Sequence, residues 1–299
     1  MTNGLKNWLK ASRPRTLMLS FSGIMTGGFL SLTCTSHSLL TVVLCVFTAV
    51  TLQILSNLAN DYGDFIHGID NDDRIGPQRQ LQSGEIDKKA MKSGIIVTAF
   101  LALAFGAALI FTAHLKPAEF IFFGCLGFAA ILAALLYTLG RHPYGYQGFG
   151  DLFCFLFFGI VSVAGTYYLS THNIDYLILL PAAAHGFLSN TVLNVNNMRD
   201  FENDKRSGKN TLVVRIGLKK AFVYHITLII SAFVCLTVFT ILKHNPFFCF
   251  AFWIVFPFLL KDLTAMAKIK DLQLLDPFLK RHAIATFVTF LIFGVTLIL

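Results

Sequence analysis

Long runs of apolar residues alternate with short polar segments along almost the whole chain. Nine of these runs are long enough to cross the hydrocarbon core of a bilayer, which takes about 20 helical residues at a rise of about 1.5 Å each. Apolar runs of this length with so little charge predict membrane-spanning helices. The predicted spans are residues 17–34, 39–59, 93–113, 118–139, 152–170, 176–197, 221–242, 247–260 and 283–299.

Composition agrees with the pattern of apolar runs. Of the 299 residues, 55% are hydrophobic and only 13% are charged, and the mean hydropathy is +0.67. The formal net charge of +8 would suggest nucleic acid in a soluble protein, but in a membrane protein it is better explained by topology. We therefore expect an all-α, polytopic protein: a bundle of nine transmembrane helices forming one membrane-embedded domain over residues 1–299, with lipid and not nucleic acid as its surroundings.

The positions of the basic residues give the orientation. With the N-terminus in the cytoplasm and nine spans, 22 of the 24 lysines and arginines lie in cytoplasmic segments, and only Lys116 and Lys243 lie on the other side. This asymmetry is what the positive-inside rule predicts. We expect a multi-pass protein of the cell inner membrane with a cytoplasmic N-terminus and an external C-terminus.

The first acidic cluster lies where the second span ends. Four of its polar side chains are spaced i, i+3, i+4 and i+7, which places them on one face of a helix. Asp70 and the Asp72–Asp73 pair follow in the next loop, where the pair is expected to be solvated. The helical members of the cluster are Asn57, Asn60, Asp61 and Asp64.

A similar cluster follows the sixth span. Asn197, Asp200 and Asp204 are spaced i, i+3 and i+7. Four crossings separate the second and sixth spans, so both run in the same direction and end on the cytoplasmic side. The two clusters are therefore expected to face each other across the bundle.

Carboxylates at the carboxyl end of a helix are unfavourable, because that end already carries a partial negative charge and neighbouring carboxylates repel one another. A hard cation between them removes both costs. Oxygen ligands without cysteine indicate Mg²⁺, which usually binds one or two carboxylates together with substrate phosphates. Two clusters of this kind predict two Mg²⁺ ions holding a diphosphate, with an active site that opens at the cytoplasmic side.

Basic residues next to both clusters suit the same ligand. Arg79 and Lys209 lie beside glycine-containing turns, and such groups bind diphosphate oxygens and stabilise a leaving group. His185 lies in the middle of the sixth span, where an ionisable residue is functional by default. A neutral histidine bonded to a neighbouring helix is an equal alternative, so we assign His185 no catalytic role.

These stretches resemble the UbiA-type intramembrane prenyltransferases. The resemblance rests on the two aspartate motifs and on GPQRQLQSG at 76–84, RHPYGYQGFGD at 141–151 and NNMRDFENDKRSGKNTLVVRIG at 196–217. It extends over most of the chain and is greatest for the branch that acts on 1,4-dihydroxy-2-naphthoate in menaquinone synthesis.

The resemblance implies transfer of a polyprenyl group from polyprenyl diphosphate to 1,4-dihydroxy-2-naphthoate, with loss of diphosphate and carbon dioxide, giving a demethylmenaquinone. The two Mg²⁺ ions would bind the four motif aspartates, and Arg79 and Lys209 would act on the leaving group. Substrate-binding roles would fall to the three asparagines, to Asp70 and to three tyrosines near the fourth loop that line the acceptor site. The implied metal ligands are Asp61, Asp64, Asp200 and Asp204, and the implied substrate-binding residues are Asn57, Asn60, Asn197, Asp70, Tyr137, Tyr144 and Tyr146.

Two other functions fit the same pattern less well. A sister prenyltransferase would use hydroxybenzoate, haem or chlorophyllide as acceptor, and only the 141–151 stretch argues against it. A lipid transporter or flippase would place its site near the bilayer midplane, whereas the charged residues here crowd one membrane face.

The basic-residue asymmetry makes a testable prediction about topology. A reporter fused after Leu299 should be external and one inserted near Lys209 should be cytoplasmic. Both are read out by paired alkaline phosphatase and fluorescent protein fusions. A cytoplasmic reporter after Leu299 would show that the span count is wrong by one.

Overall fold

The computed structural model describes residues 3–70, 76 and 78–299, and all regular structure in these residues is helical. Asp72, Asp73 and Arg74, whose roles the sequence predicts, lie outside the described residues. The helices are α1 Asn3–Ala11, α2 Pro14–Leu32, α3 Leu39–Ile66, α4 Lys88–Thr112, α5 Pro117–Leu136, α6 Gly150–Thr171, α7 Tyr176–Arg199, α8 Phe201–Arg206, α9 Leu212–Ile216, α10 Leu218–Leu242, α11 Phe247–Met266 and α12 Leu272–Ile298.

Eight of the helices in the described part of the chain are long and apolar enough to cross a membrane, namely α3 to α7 and α10 to α12. The first predicted span corresponds to α2, which has 19 residues. Its buried residues include Ser20, Ser22, Thr26 and neighbouring glycines, and these lower its hydropathy. The all-helical membrane fold is confirmed, while the count of nine spans stays a prediction.

The last two helices are longer than their apolar runs. Helix α11 continues to Met266, and α12 begins at Leu272, well before the predicted start at residue 283. Asp276 and Pro277 stand in the first turn of the α-helical part of α12. A carboxylate is favourable at the amino end of a helix and a proline there lacks only an N–H that would be unpaired anyway. The helix therefore starts in a polar segment, which a search for apolar runs leaves outside the predicted span.

The second aspartate motif does not lie on one continuous helix, so the predicted i, i+3, i+7 face was wrong in this respect. Helix α7 ends at Arg199, and α8 starts at Phe201. Between them Asp200 has φ −89° and ψ 7°, in the bridge region outside helical values. The side chains of Asp200 and Asp204 consequently point to different partners.

Helix α7 is the most buried of the spans, and α5 is the least. Helix α7 packs against α2, α6, α10 and α12, whereas α3 packs against α2, α4, α5 and the C-terminal part of α6. Helices α2 and α6 thus join a group of helices around α7 to a group around α3. The two motif-bearing helices, α3 and α7, belong to different groups, and this leaves a cavity between them.

Close contact between α6 and α7 depends on two glycines. A Cβ on Gly159 would lie 2.6 Å from the Ala182 carbonyl oxygen, and one on Gly186 would lie 2.9 Å from the Phe155 carbonyl oxygen. Small residues allow helix backbones to approach closely in membranes, where lipid offers no hydrophobic driving force for association. This contact fixes α7 against α6.

The glycine contact predicts a stability effect. Gly159→Ala should lower the free energy of unfolding by about 1–3 kcal/mol, because the added methyl group overpacks a backbone contact. Gly165→Ala is the matched control on the same helix, since a Cβ there meets nothing within 4 Å. Thermal unfolding of the detergent-solubilised variants provides the measurement. Equal melting temperatures for the two variants would contradict the proposed role of the contact.

Candidate functional site

Arg79 is the centre of the first acidic cluster. Its Nη1 lies 2.6 Å from Asp64 Oδ2 and 3.2 Å from Asp70 Oδ2, and its Nε lies 3.6 Å from Asp61 Oδ1. The same Nη1 donates to the Asn60 carbonyl oxygen at 3.0 Å. Burial alone would lower the pKa of Arg79, but the three carboxylates raise it overall. One buried guanidinium therefore holds three acids of the first motif together.

Lys209 joins the first cluster to the second. Its Nζ lies 3.8 Å from Asp64 Oδ2 and 3.8 Å from Asp204 Oδ1. Gly208, at φ +75°, makes the turn that returns the chain, and the Lys209 N–H donates to the Asp204 carbonyl oxygen at 2.8 Å. The predicted meeting of the two clusters is thus present, with Lys209 between them. Burial would lower the pKa of Lys209, but Asp64 and Asp204 raise it.

The three tyrosines occupy different positions. Tyr146 donates its hydroxyl hydrogen to Asp64 Oδ1 at 2.6 Å, and its ring centroid lies 5.4 Å from Lys209 Nζ. Burial and the Asp64 carboxylate raise the pKa of Tyr146. Tyr144 donates to the Ala133 carbonyl oxygen at 2.8 Å, and its ring meets that of Tyr137 edge to face at 5.4 Å. Tyr146 therefore belongs to the acidic cluster, while Tyr137 and Tyr144 line the cavity beside it.

The two acids of the second motif have contrasting surroundings. Both carboxylate oxygens of Asp200 accept hydrogen bonds from Arg199, each at 2.8 Å. Asp204 Oδ2 is buried and has no hydrogen-bond partner among the described residues. Burial raises the pKa of Asp204 to about 6, although Lys209 opposes the change. Its ionised form is therefore costly here, and a bound cation would offset that cost.

The carboxylates are compensated by basic side chains in this arrangement. Among the described residues, no three histidine, cysteine or acidic side chains are grouped as a ready metal site. A carboxylate nevertheless offers about four lone-pair positions, so it can accept a hydrogen bond from an arginine N–H and bind a cation at the same time. The oxygen donors and the unpartnered Asp204 Oδ2 fit a hard divalent cation.

The three predicted asparagines have different positions: one supports the helix packing, one contacts the acids, and one is buried near the second motif. Asn57 Nδ2 donates to the Ser12 carbonyl oxygen at 2.8 Å and to Thr16 Oγ1 at 3.0 Å, which ties α3 to the α1–α2 junction. The Asn60 amide, oriented by its hydrogen bonds, donates to Asp64 Oδ2 at 3.2 Å. Asn197 is buried near the end of α7. Asn57 thus has a supporting position, and Asn60 contacts the acids directly.

Arg13 is a site residue that the sequence analysis missed. Its guanidinium forms an ion pair with Asp61 and, through Nη1, a 3.2 Å hydrogen bond with the Asn60 amide oxygen. Its backbone has φ 50°, a left-handed conformation, immediately before Pro14 begins α2. From the sequence, Arg13 was expected only to be one of the 22 cytoplasmic basic residues. Its position directly before a helix-starting proline was the available signal.

An apolar cavity of about 360 Å³ extends from the charged cluster. Arg13, Arg79 and Lys209 stand at its polar end, and α5, with Tyr137 directly after it, lines it as far as Phe123. At about 1.5 Å per residue the stretch from Phe123 to Tyr137 is roughly 21 Å long. Its walls include small and aromatic side chains of α5 and α6. The cavity can therefore hold an extended apolar group whose charged end meets the cluster.

His185 is bonded within the bundle. Its Nε2 lies 2.8 Å from Ser22 Oγ on α2, and its Nδ1 lies 3.3 Å from Ser189 Oγ. Both ring nitrogens thus have hydroxyl partners, and the contact with Ser22 is the predicted bond to a neighbouring helix.

Comparison with known proteins identifies relatives of this chain. Residues 20–275 match the UbiA prenyltransferase family. Proteins from Escherichia coli (strain K12) and Haemophilus influenzae, each named 1,4-dihydroxy-2-naphthoate octaprenyltransferase, are 41% and 39% identical, covering 96% and 99% of this chain and 93% and 96% of their own. A solved UbiA homolog from Archaeoglobus fulgidus, bound to GPP and Mg²⁺, has a TM-score of 0.67 at 16% identity and covers 98% of this chain and 99% of its own. That similarity shows a common fold.

The Arg79 cluster predicts a large stability effect. Arg79→Gln should lower the free energy of unfolding at pH 7 by about 3–5 kcal/mol, because it leaves buried carboxylates without their shared cation. Arg281→Gln is the control: Arg281 is 57% exposed, pairs with Asp262 at 3.0 Å, and should contribute less than about 1 kcal/mol. Thermal or denaturant unfolding in detergent distinguishes the two. Equal losses would mean that the cluster is solvated like a surface ion pair.

Proposed function

The chain belongs to the UbiA prenyltransferase family, and we propose that it transfers a polyprenyl group from polyprenyl diphosphate to 1,4-dihydroxy-2-naphthoate, releasing diphosphate and carbon dioxide and giving the hydroquinone whose oxidised form is demethylmenaquinone. The observation that carries the proposal is the position of the paired aspartate motifs, with Arg79 and Lys209, at the polar end of a long apolar cavity. Two relatives that match nearly the full chain at 39–41% identity have the corresponding name.

The cavity accounts for binding of the donor. The prenyl tail lies along α5, where apolar walls exclude water, and the diphosphate lies among Arg13, Arg79 and Lys209. Guanidinium and ammonium groups bind phosphate oxygens with charge-assisted hydrogen bonds. The same three side chains stabilise the charge that develops on the leaving diphosphate.

Magnesium completes the donor site in this proposal. Asp61, Asp64, Asp200 and Asp204 would hold it, and because every donor is an oxygen this set suits a hard cation and not a softer metal. When bound, Mg²⁺ neutralises diphosphate charge and so favours departure of the leaving group. The unpartnered Asp204 Oδ2 supports this assignment, and the A. fulgidus homologs solved with Mg²⁺ agree with it. We assign two ions, one for each aspartate motif.

The chemistry follows from charge separation in a dry cavity. The bond between the allylic carbon and the diphosphate oxygen breaks, and its electron pair leaves with the diphosphate. The faces of Tyr137, Tyr144 and Phe153, which line the cavity, stabilise the allylic cation. The naphthoate carbon that bears the carboxylate attacks the cation, and loss of carbon dioxide returns an electron pair to the ring. No strong base is required.

The orientation of the protein in the membrane determines how the substrates reach the site. A multi-pass position in the inner membrane, with the charged end of the cavity towards the cytoplasm, is supported by the distribution of basic residues along the sequence. Both substrates then reach the site from the cytoplasmic side: the acceptor from water and the donor tail from the bilayer.

A carboxyl-label experiment tests the proposed reaction. Purified protein supplied with farnesyl diphosphate and carboxyl-labelled 1,4-dihydroxy-2-naphthoate should release one labelled carbon dioxide for each diphosphate. Chelation of divalent cations with EDTA should reduce both products at least about a hundredfold, since the loss of several kcal/mol of transition-state stabilisation is expected. Added Mg²⁺ should restore them. Asp262→Asn, away from the cavity, is a control that should keep full activity.

Three outcomes would contradict the proposal in different ways. Label retained in a prenylated product, or preference for hydroxybenzoate, would replace the acceptor while leaving prenyl transfer intact. Full activity in EDTA would show that the reaction needs no divalent cation. Transport of a lipid across vesicle membranes without any prenylated product would show that the protein is a transporter and not a prenyltransferase.

A further inference from the structure

Three charged side chains form an ion-pair triad at the edge of the site. Arg199 donates from Nε to Asp200 Oδ1 and from Nη2 to Asp200 Oδ2, both at 2.8 Å. Its Nη1 donates to Asp276 Oδ1 at 2.5 Å. The triad therefore links the second aspartate motif to the first turn of α12, and Asp276 has no place in the proposed donor site.

The guanidinium of Arg199 is held in one orientation. Its side chain is only 3% exposed, and Nη2 also donates to Asn196 Oδ1 at 3.0 Å. Asp200 thus binds the edge of the guanidinium formed by Nε and Nη2, and Asp276 binds the remaining nitrogen, Nη1. Because Asp200 is bound through both oxygens, the orientation of Arg199 determines where Asp200 directs its remaining lone pairs.

Asp276 also determines the charge of the group. Arg199 and Asp200 alone would form a neutral pair with little attraction for a cation. Asp276 adds one negative charge, so the triad has a net charge of −1. Arg15 reduces this effect only weakly, since its Nη1 is 3.7 Å from Asp276 Oδ2 and its side chain is 41% exposed.

We propose that Asp276 is a positioning residue for the divalent cation, acting through Arg199 to orient Asp200 and to keep the triad anionic. The inference rests on the proposed function, because it assumes that Asp200 is one of the cation ligands. Metal sites commonly depend on such outer partners, whose removal lowers metal affinity by about 10–100-fold. The expected effect of Asp276 falls at the lower end, because it acts through an intervening side chain.

Manganese binding provides a readout that is independent of turnover. We would titrate the solubilised protein with Mn²⁺ in the presence of inorganic diphosphate and follow free Mn²⁺ by electron paramagnetic resonance. Asp276→Asn should raise the Mn²⁺ dissociation constant about tenfold. Asp276→Ser, which also removes the charge, should behave in the same way. Asp276→Glu should restore most of the affinity.

Asp262→Asn is the matched control. Asp262, on α11, is likewise an acid paired with an arginine near the start of α12, yet that arginine, Arg281, forms no ion pair with either aspartate motif within the described part of the chain. It should bind Mn²⁺ like the wild type. In turnover assays Asp276→Asn should raise the Mg²⁺ concentration for half-maximal rate about tenfold, with kcat at saturating Mg²⁺ changed less than about threefold.

The outcomes separate this inference from the function on which it rests. If the wild type binds Mn²⁺ but both uncharged Asp276 variants match Asp262→Asn, the positioning role is refuted and the function stands. A lower kcat with unchanged Mn²⁺ affinity would show a merely structural role and refute it too. If the wild type itself binds no Mn²⁺ and needs no Mg²⁺, the metal part of the function and this inference fail together.

Discussion

Charge compensation inside a low-dielectric bundle is the constraint on which the site depends. Acids at the carboxyl ends of two helices would repel each other and the helix dipoles, so they cannot be brought together without cations. Arg79 and Lys209 supply this charge from the loops that follow α3 and α8, and Arg13 supplies it from the start of α2. The loops are therefore as much a part of the site as the helices, because their basic side chains allow the two motifs to approach.

The asymmetry of helix packing serves the same site. Helix α7 is enclosed by four helices, which fix the end from which the second motif continues, whereas α5 is hardly buried and leaves apolar space beside it. A fully packed bundle would have no room for a long tail, and a loose one would not fix the acids. Dividing the helices into a group around α7 and a group around α3 provides both properties, and the glycine contact between α6 and α7 keeps the rigid part compact.

Much of this could be predicted from local sequence, and the remainder depends on distant partners. Apolar length predicted the eight helices that are long and apolar enough to cross a membrane in the described part of the chain. Helical spacing placed Asn60, Asp61 and Asp64 on one face, because α3 continues to Ile66. The break at Asp200 was missed, since nothing in the spacing shows that Arg199 will bind the neighbouring carboxylate. Arg13 was indistinguishable from a topological charge, because its partner Asp61 lies 48 residues away.

The long sequence separations also bear on how the membrane protein is made. Tyr146 is 82 residues from Asp64, and Asp276 is 77 residues from Arg199. Helices enter the bilayer in the order of synthesis, so α3 is inserted with its acids long before all their partners exist. The motif acids of α3 have their basic partners once Lys209 has been made, but the Arg199 ion-pair triad is complete only when α12, which carries Asp276, has been delivered. A chain that stops short of α12 would carry both aspartate motifs and leave Arg199 without Asp276, so the last insertion step completes the outer support of the second motif.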